Sequence, residues 1–195
     1  MSFVKLIDGT PVSVEARPRW FNDDGSLLTD EQLMDQGYFP LDRAPVSYDP
    51  VTQHVTEKPI AEWAVLTDKV QVAYTVHAYD AGSVKQNLRD YAYAKRKEIE
   101  AQGFECGGMT ISIDDTSKVN LAGARIRADA NPSFTTKWKS PDGTFSEITA
   151  ATIIAVSDAA LDRVDLLFRQ EGDAVAGIES GTITTATEVD AIFEG

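Results

Sequence analysis

Residues 135–168 read TTKWKSPDGTFSEITAATIIAVSDAALDRVDLLF. Two short strands, TTKWKS and GTFSEI, flank Pro141-Asp142-Gly143. That tripeptide is a turn signal, because proline presets one turn dihedral and glycine accepts a positive φ. A helix is predicted directly after it, over Ala150–Phe168, with Thr149 as the N-cap whose hydroxyl accepts from a free backbone N–H. Ile153, Ser157, Ala160, Val164 and Leu167 form one stripe, with Ile154, Leu161 and Phe168 beside it, at the period of a half-buried helix. Asp158, Asp162, Arg163, Asp165 and Arg169 fall mostly on the other face. The hairpin is therefore expected to pack on this helix, with Trp138 or Phe145 against Ile153, Leu161 or Phe168.

Working back from this stretch, Phe104–Cys106 and Met109–Ile113 read as a second hairpin turned by Gly107-Gly108, and Asp114 to Ser117 caps a helix running to about Ala130, before Pro132. Before it, a helix is expected from about Gly82 to Gln102, with Val84, Leu88, Tyr91, Ala92 and Ile99 as its apolar stripe and Gly103 as its stop. Its Lys95-Arg96-Lys97 cluster reads as a solvated face. After Gln170 an acidic helix is expected over Asp173–Glu179, broken at Gly181, and a last short helix over Thr185–Phe193.

The first 79 residues have another character. FVKLI and PVSV flank Asp8-Gly9, a hairpin pattern, and Thr29 with Gln32 matches a capping box that opens a helix ending at Gly37. Pro40, Pro45, Pro50 and Pro59 leave only extended segments and turns between residues 38 and 60. Thr67-Asp68-Lys69 turns a strand near Trp63–Leu66 onto a strand in which Val70, Val72, Tyr74 and Val76 alternate with polar or small residues. The fold class is therefore α+β: a small β-rich N-terminal domain, residues 1–79, followed by a helical C-terminal domain with two β-hairpins, residues 80–195. Strands near Val4–Ile7 and Val70–Val76 are expected to offer an edge to a neighbouring chain.

Composition sets limits on function. The 195-residue chain is 43% hydrophobic and 25% charged, an ordinary globular balance. Its 18 basic and 31 acidic residues give −13, which opposes binding to phosphate backbones, so no nucleic-acid partner is expected. No apolar run is long enough for a membrane span, and MSFVKLIDG lacks the apolar core of a signal peptide, so synthesis in the cytoplasm is expected. The single cysteine, Cys106, cannot form an internal disulfide.

The candidate sites each have a plainer reading. Asn22-Asp23-Asp24-Gly25 with Glu31 resembles a calcium loop, but Trp20 occupies the first ligand position and Pro18 spoils the entering helix, leaving an acidic turn. Asp114-Asp115, a candidate metal or acid–base pair, reads as a helix cap. His54 and His77 lack cysteine or carboxylate partners at ligand spacing and read as structural or surface residues. Cys106 reads as a small core residue, and Trp20, Trp63 and Trp138 as core aromatics or partner anchors. No catalytic, cofactor-binding or metal-ligating residue is assigned, no cofactor is expected, and the chain is read as a non-enzyme.

One resemblance goes further. Lys95 to Glu100, Gly103-Phe104 with Gly108, Asp114 to Ser117, Leu121-Ala122-Gly123-Ala124, Trp138, Asp142-Gly143-Thr144-Phe145 and Thr149 to Ala155 follow in order. With this set, residues from about 90 onward resemble an uncharacterised C-terminal domain that recurs in bacteriophage tail proteins. Lys5 to Val12, Gly37-Tyr38-Phe39-Pro40 and Tyr48 to Gln53 resemble the lead-in of tail-fibre-associated proteins. The resemblance implies a structural virion protein of the tail, multi-copy or oligomeric, at the baseplate or fibre attachment region and in contact with other tail proteins. The alternative it leaves is a tail-fibre assembly chaperone absent from the mature virion. It supplies no catalytic residues. A cell-wall hydrolase would need a positioned carboxylate or metal set, and a sugar-binding module clustered aromatics.

Overall fold

The computed structural model describes residues 1–194, and the chain divides into two compact units, Met1–Tyr79 and Asp80–Gly195. The class is α+β, strand-rich in the first unit and helical in the second.

The first unit opens with the hairpin β1 (Ser2–Ile7) and β2 (Thr10–Ala16). Asp8 and Gly9 turn it with φ of 50° and 77°, the left-handed pair that a tight two-residue loop needs. Helix α1 (Asp30–Asp35) has the expected capping box, with Thr29 and Gln32 bonding each other's backbone N–H. Strands β3 (Tyr38–Asp42), β4 (Gln53–Glu57), β5 (Ala64–Val65), β6 (Val70–Gln71) and β7 (Tyr74–Ala78) follow. A five-stranded sheet runs β2-β1-β3-β6-β5, parallel only at β3/β6, and β4 pairs with β7 in a separate antiparallel ribbon. Val4, Trp63, Val70 and Val72 form the core, with Phe39, Leu41 and Ile60 packed on it.

Two expectations for this unit need correction. The alternating run from Val70 to Val76 is two strands. The Val72 N–H bonds the Asp42 carbonyl, and the Ala73 carbonyl accepts from Lys58 N–H, so the backbone changes partner there and leaves one sheet for the other. The alternation survives this step, which is why periodicity alone reads it as continuous. Nor are Val4–Ile7 and Val70–Gln71 edges, whereas the rest of the second run, residues 74–76, lies in β7 of the two-stranded ribbon and has a strand neighbour on one side only. β1 lies between β2 and β3, and β6 between β3 and β5. β2 ends the sheet.

The second unit is built on α4 (Ala150–Ser180), 31 residues and therefore about 46 Å long. Helix α2 (Ala81–Gln102), capped by Asp80, runs antiparallel along the C-terminal half of α4. Lys85 donates to the Glu179 carbonyl at 2.7 Å, and Arg89 pairs with the Glu179 carboxylate. Gly103 ends α2 at φ 77°, and a side chain there would sit 2.3 Å from the Ile111 carbonyl oxygen. Only glycine fits that approach. The hairpin β8 (Phe104–Cys106) and β9 (Met109–Ile111) then leads to α3 (Asp115–Ala130). The strand stops at Ile111 rather than Ile113, because Ile113 N–H turns back to the Glu100 carbonyl at 2.9 Å. α3 lies antiparallel along the N-terminal half of α4, where Arg125 reaches Asp158 at 2.5 Å and the Ile154 carbonyl at 3.3 Å. The hairpin β10 (Thr135–Lys139) and β11 (Phe145–Thr149) feeds α4 through the predicted Thr149 cap. Helix α5 (Ala186–Glu194) returns to α2, where Asp190 accepts from Tyr91 at 3.0 Å and pairs with Lys95 at 3.2 Å.

Here too the structure corrects the sequence reading. The predicted helices 150–168 and 173–179 are one. Gly172 costs a helix interior about 1 kcal/mol, and burial of Leu167, Gln170, Ala174 and Ile178 on a continuous face offsets it. The hairpin's inward residues are Trp138 and Ile148, whereas Phe145, Leu161 and Phe168 are 66%, 67% and 51% exposed. Of the residues expected to pack hairpin on helix, only Trp138 and Ile153 are buried. Leu161 follows buried Ala160 by 100° of helical turn, which rotates it off the face that Ile153, Val156 and Ala160 define.

Replacing Leu167 or Ile153 by alanine is expected to lower unfolding free energy by about 2–5 kcal/mol, while Leu161→Ala changes it by no more than about 0.5 kcal/mol. Urea unfolding of the three variants measures this, and a large loss at Leu161 would contradict the assigned face.

Candidate functional site

The most constrained chemistry lies where α2, α3 and α4 meet. Leu88, Ala92, Arg96 and Glu100 succeed one another at four-residue steps and are all buried. The last two carry charge. Glu100, with no solvent exposure, accepts from Arg96, from Lys118 of α3 at 3.0 Å and from Lys97 at 3.3 Å. Arg96 also bonds Glu171 of α4, and its guanidinium lies 4.2 Å from the Phe168 ring centre and 5.3 Å from that of Tyr93. Asp115 joins the node through Lys97 at 2.7 Å and Lys118 at 3.1 Å. Three cations thus face three carboxylates.

Burial alone would push the Glu100 carboxyl up, but the bonds from Lys118 and Arg96 outweigh it and hold it below the ordinary range. Burial likewise opposes the Arg96 charge, and Glu171 and Glu100 outweigh it, so the guanidinium is held more firmly protonated than usual. Lys97 and Lys118 bring Asp115 down to about 2. Each charge is committed to another within the chain, so the arrangement locks helix register. The reading of Lys95-Arg96-Lys97 as a solvated face is therefore wrong at Arg96, which completes the buried line begun by Leu88 and Ala92. The four-residue step to Glu100 was the available signal.

Beside the node, α3 and α4 enclose a groove of about 500 Å³. Ala122, Ile126, Leu161 and Val164 line it, with Arg125, Asp129 and Asp158 at the rim. Ile126 is 71% exposed. The Ser157 Oγ, also in the lining, is buried and has no hydrogen-bond partner among the described residues. The opposite side of α3 meets the β10–β11 hairpin around a smaller pocket of about 290 Å³, lined by Asn120, Ala124 and Trp138.

The residues singled out in the sequence are scattered over both units. Asp24 accepts from the N–H and hydroxyl of Ser26, which holds its carboxyl low within a tight acidic turn, and Glu31 lies apart in the first turn of α1. Asp114 caps α3 by accepting from Ser117 N–H at 2.7 Å, the main cause of its lowered pKa, while Asp115 belongs to the node. His54 and His77, unrelated in sequence, are brought together as a cross-strand pair on β4 and β7. Their rings stack at 5.1 Å, Tyr79 stacks on His54 at 4.9 Å, and His77 Nε2 bonds Thr56 at 2.9 Å. Cys106 is half-buried on β8 rather than in the core. Trp63 is a core residue donating to the Lys58 carbonyl, Trp138 is buried, and Trp20 is exposed, edge-on to Tyr38. Among the described residues no three His, Cys, Asp or Glu side chains gather as a metal site, and no helix is long and apolar enough to cross a membrane.

Arg96→Met is expected to cost about 3–5 kcal/mol, because it strands Glu100 and Glu171 without their partner. The carboxyl of Glu100 is depressed in the folded chain, so its stabilising effect is full above the ordinary glutamate value of about 4.5 and is lost as pH falls through the folded value. Melting temperatures of the wild type and Glu100→Gln should therefore differ most at neutral pH and converge on acidification below about 4.5. A gap that is constant or widens towards acid would contradict the assignment.

Comparison with curated proteins and with solved structures gives no match. The family described as Domain of unknown function (DUF4376) matches residues 83–193, a span that starts in the first turn of α2 and closes in α5. The node, the groove and both hairpins of the second unit lie inside that span, and through it the chain belongs to the DUF4376 family.

Proposed function

We propose that the chain is a structural component of a bacteriophage tail, mounted at the baseplate or the fibre attachment region, in contact with other tail proteins and present in several copies. It is made in the host cytoplasm and works in the virion tail. The reading assigns it no catalytic role, no cofactor and no nucleic-acid partner. It rests on the ordered resemblance along the chain, and the observation that supports it most is the construction of the first unit. β2 ends the five-stranded sheet and has a strand neighbour, β1, on one side only. Val12 and Val14 on it are 43% and 45% exposed. Such a strand offers backbone hydrogen bonds to an added strand, with the valines as side-chain contacts, an attachment that needs little reorganisation. Pro40, Pro45, Pro50 and Pro59 stiffen the same unit, so less entropy is lost on docking.

Protein mass spectrometry of purified virions tests the proposal. The chain should be present at a fixed copy number, and a chain deleted of residues 1–79 should be missing from the particles. Its absence from wild-type virions, with association to fibre protein during assembly, would favour the chaperone instead. Zymography on host peptidoglycan and capsule polysaccharide should be blank, and activity abolished by one Asp or Glu substitution would overturn the non-enzymatic reading.

A further inference from the structure

The groove between α3 and α4 is walled by apolar side chains that the unit does not cover. On α3, Ile126 of the groove lining and Val119, seven residues earlier and beyond the lining, are each 71% exposed. On α4, Leu161 of the groove lining is exposed, and beyond the lining half-buried Ile154 lies seven residues before it and Phe168, whose ring also meets Arg96, seven after it. A seven-residue spacing on two antiparallel helices is the ridge pattern that accepts a further helix laid along them. The β10–β11 hairpin meets α3 on its other side and leaves Val119, Ile126 and Leu161 exposed.

The charges around the groove select the kind of helix. Its cations are already committed: Lys118 to Glu100 and Asp115, Arg169 to Asp165, and Arg125 to both Asp129 and Asp158. One arginine thus serves two rim carboxylates, and Asp162, on the outward side of α4, has no ion-pair partner among the described residues. The rim keeps an acidic surplus on a chain of net charge −13. A second copy of the chain would bring the same surplus against it, whereas basic flanks would neutralise it. We propose that the α3–α4 groove is the docking site for an amphipathic helix of a partner protein, with an apolar stripe flanked by lysine or arginine. The partner's apolar side chains fill the space between Ile126, Leu161 and Val164, and its cations meet Asp129, Asp158 and Asp162. The groove is a property of the C-terminal unit alone, whichever assembly carries the chain.

Calorimetric titration of the full chain with three synthetic peptides of about 20 residues tests this at about 0.15 M salt, where long-range attraction is screened. One carries leucines at heptad a and d positions with lysine flanks, the second the same leucines with glutamate flanks, and the third is a scramble of the first. The lysine-flanked helix should bind at least about tenfold more tightly than either other peptide. Leu161→Glu and Ile126→Glu, at exposed positions, should each weaken it by about tenfold or more while leaving the melting temperature unchanged. Equal binding of the scrambled peptide would reduce the effect to charge alone and overturn the proposal. So would binding that survives both substitutions. Self-association that buries the groove, detected by light scattering and abolished by Leu161→Glu, would assign the face to a second copy and overturn it as well.

Discussion

A fully buried carboxylate is tolerated only where several donors converge on it, and Glu100 imposes that condition on the C-terminal unit. Its neighbours come from two helices, Arg96 and Lys97 on α2 and Lys118 on α3, and Arg96 in turn recruits Glu171 from α4. None of these contacts can shift by a helical turn without stranding a charge. The same residue anchors the backbone, since its carbonyl receives Ile113 N–H after the β8–β9 hairpin. The C-terminal end of α2 and the start of α3 are thus held at one point along α4.

This explains why α4 can be so long. A helix of 31 residues is far longer than one packed neighbour requires, and here two shorter helices share it end to end. α2 takes the half around Glu171 and Glu179, α3 the half around Ile154 and Asp158, and the node lies between them. Apolar side chains turned away from that shared face, Leu161 and Phe168 among them, remain uncovered. Phe168 still has an internal role, because its ring lies against the Arg96 guanidinium. The uncovered face follows from the way the core is divided and is the part of the unit that a partner can reach.

Local signals in the sequence were reliable where the physics is local. The Asp8-Gly9 turn, the Thr29–Gln32 capping box, the Asp114 and Thr149 caps and the stop at Gly103 all stand where residue chemistry places them. The misreadings are tertiary. Arg96 and Glu100 continue the four-residue line of Leu88 and Ala92, but charged residues on such a line read as solvated until the partner that turns Arg96 inward, Glu171, 75 residues further along, is known. The helices 150–168 and 173–179 read as separate because the local cost of Gly172 between them is offset only by burial against the other helices. The run from Val70 to Val76 kept its alternation across a change of sheet. The His54–His77 stack depends on strand register, and the groove on the faces two helices leave free. Neither has a motif.

The account stands on the coupling between Arg96 and Glu171, since that bond ties α2 to α4 at the node. A double-mutant cycle with Arg96→Met, Glu171→Gln and the combined variant, each unfolded in urea at pH 7, isolates it. A favourable interaction energy of about 1–3 kcal/mol is predicted. A value within about 0.3 kcal/mol of zero would mean that the two side chains act independently, and would contradict the node as the constraint that sets helix register.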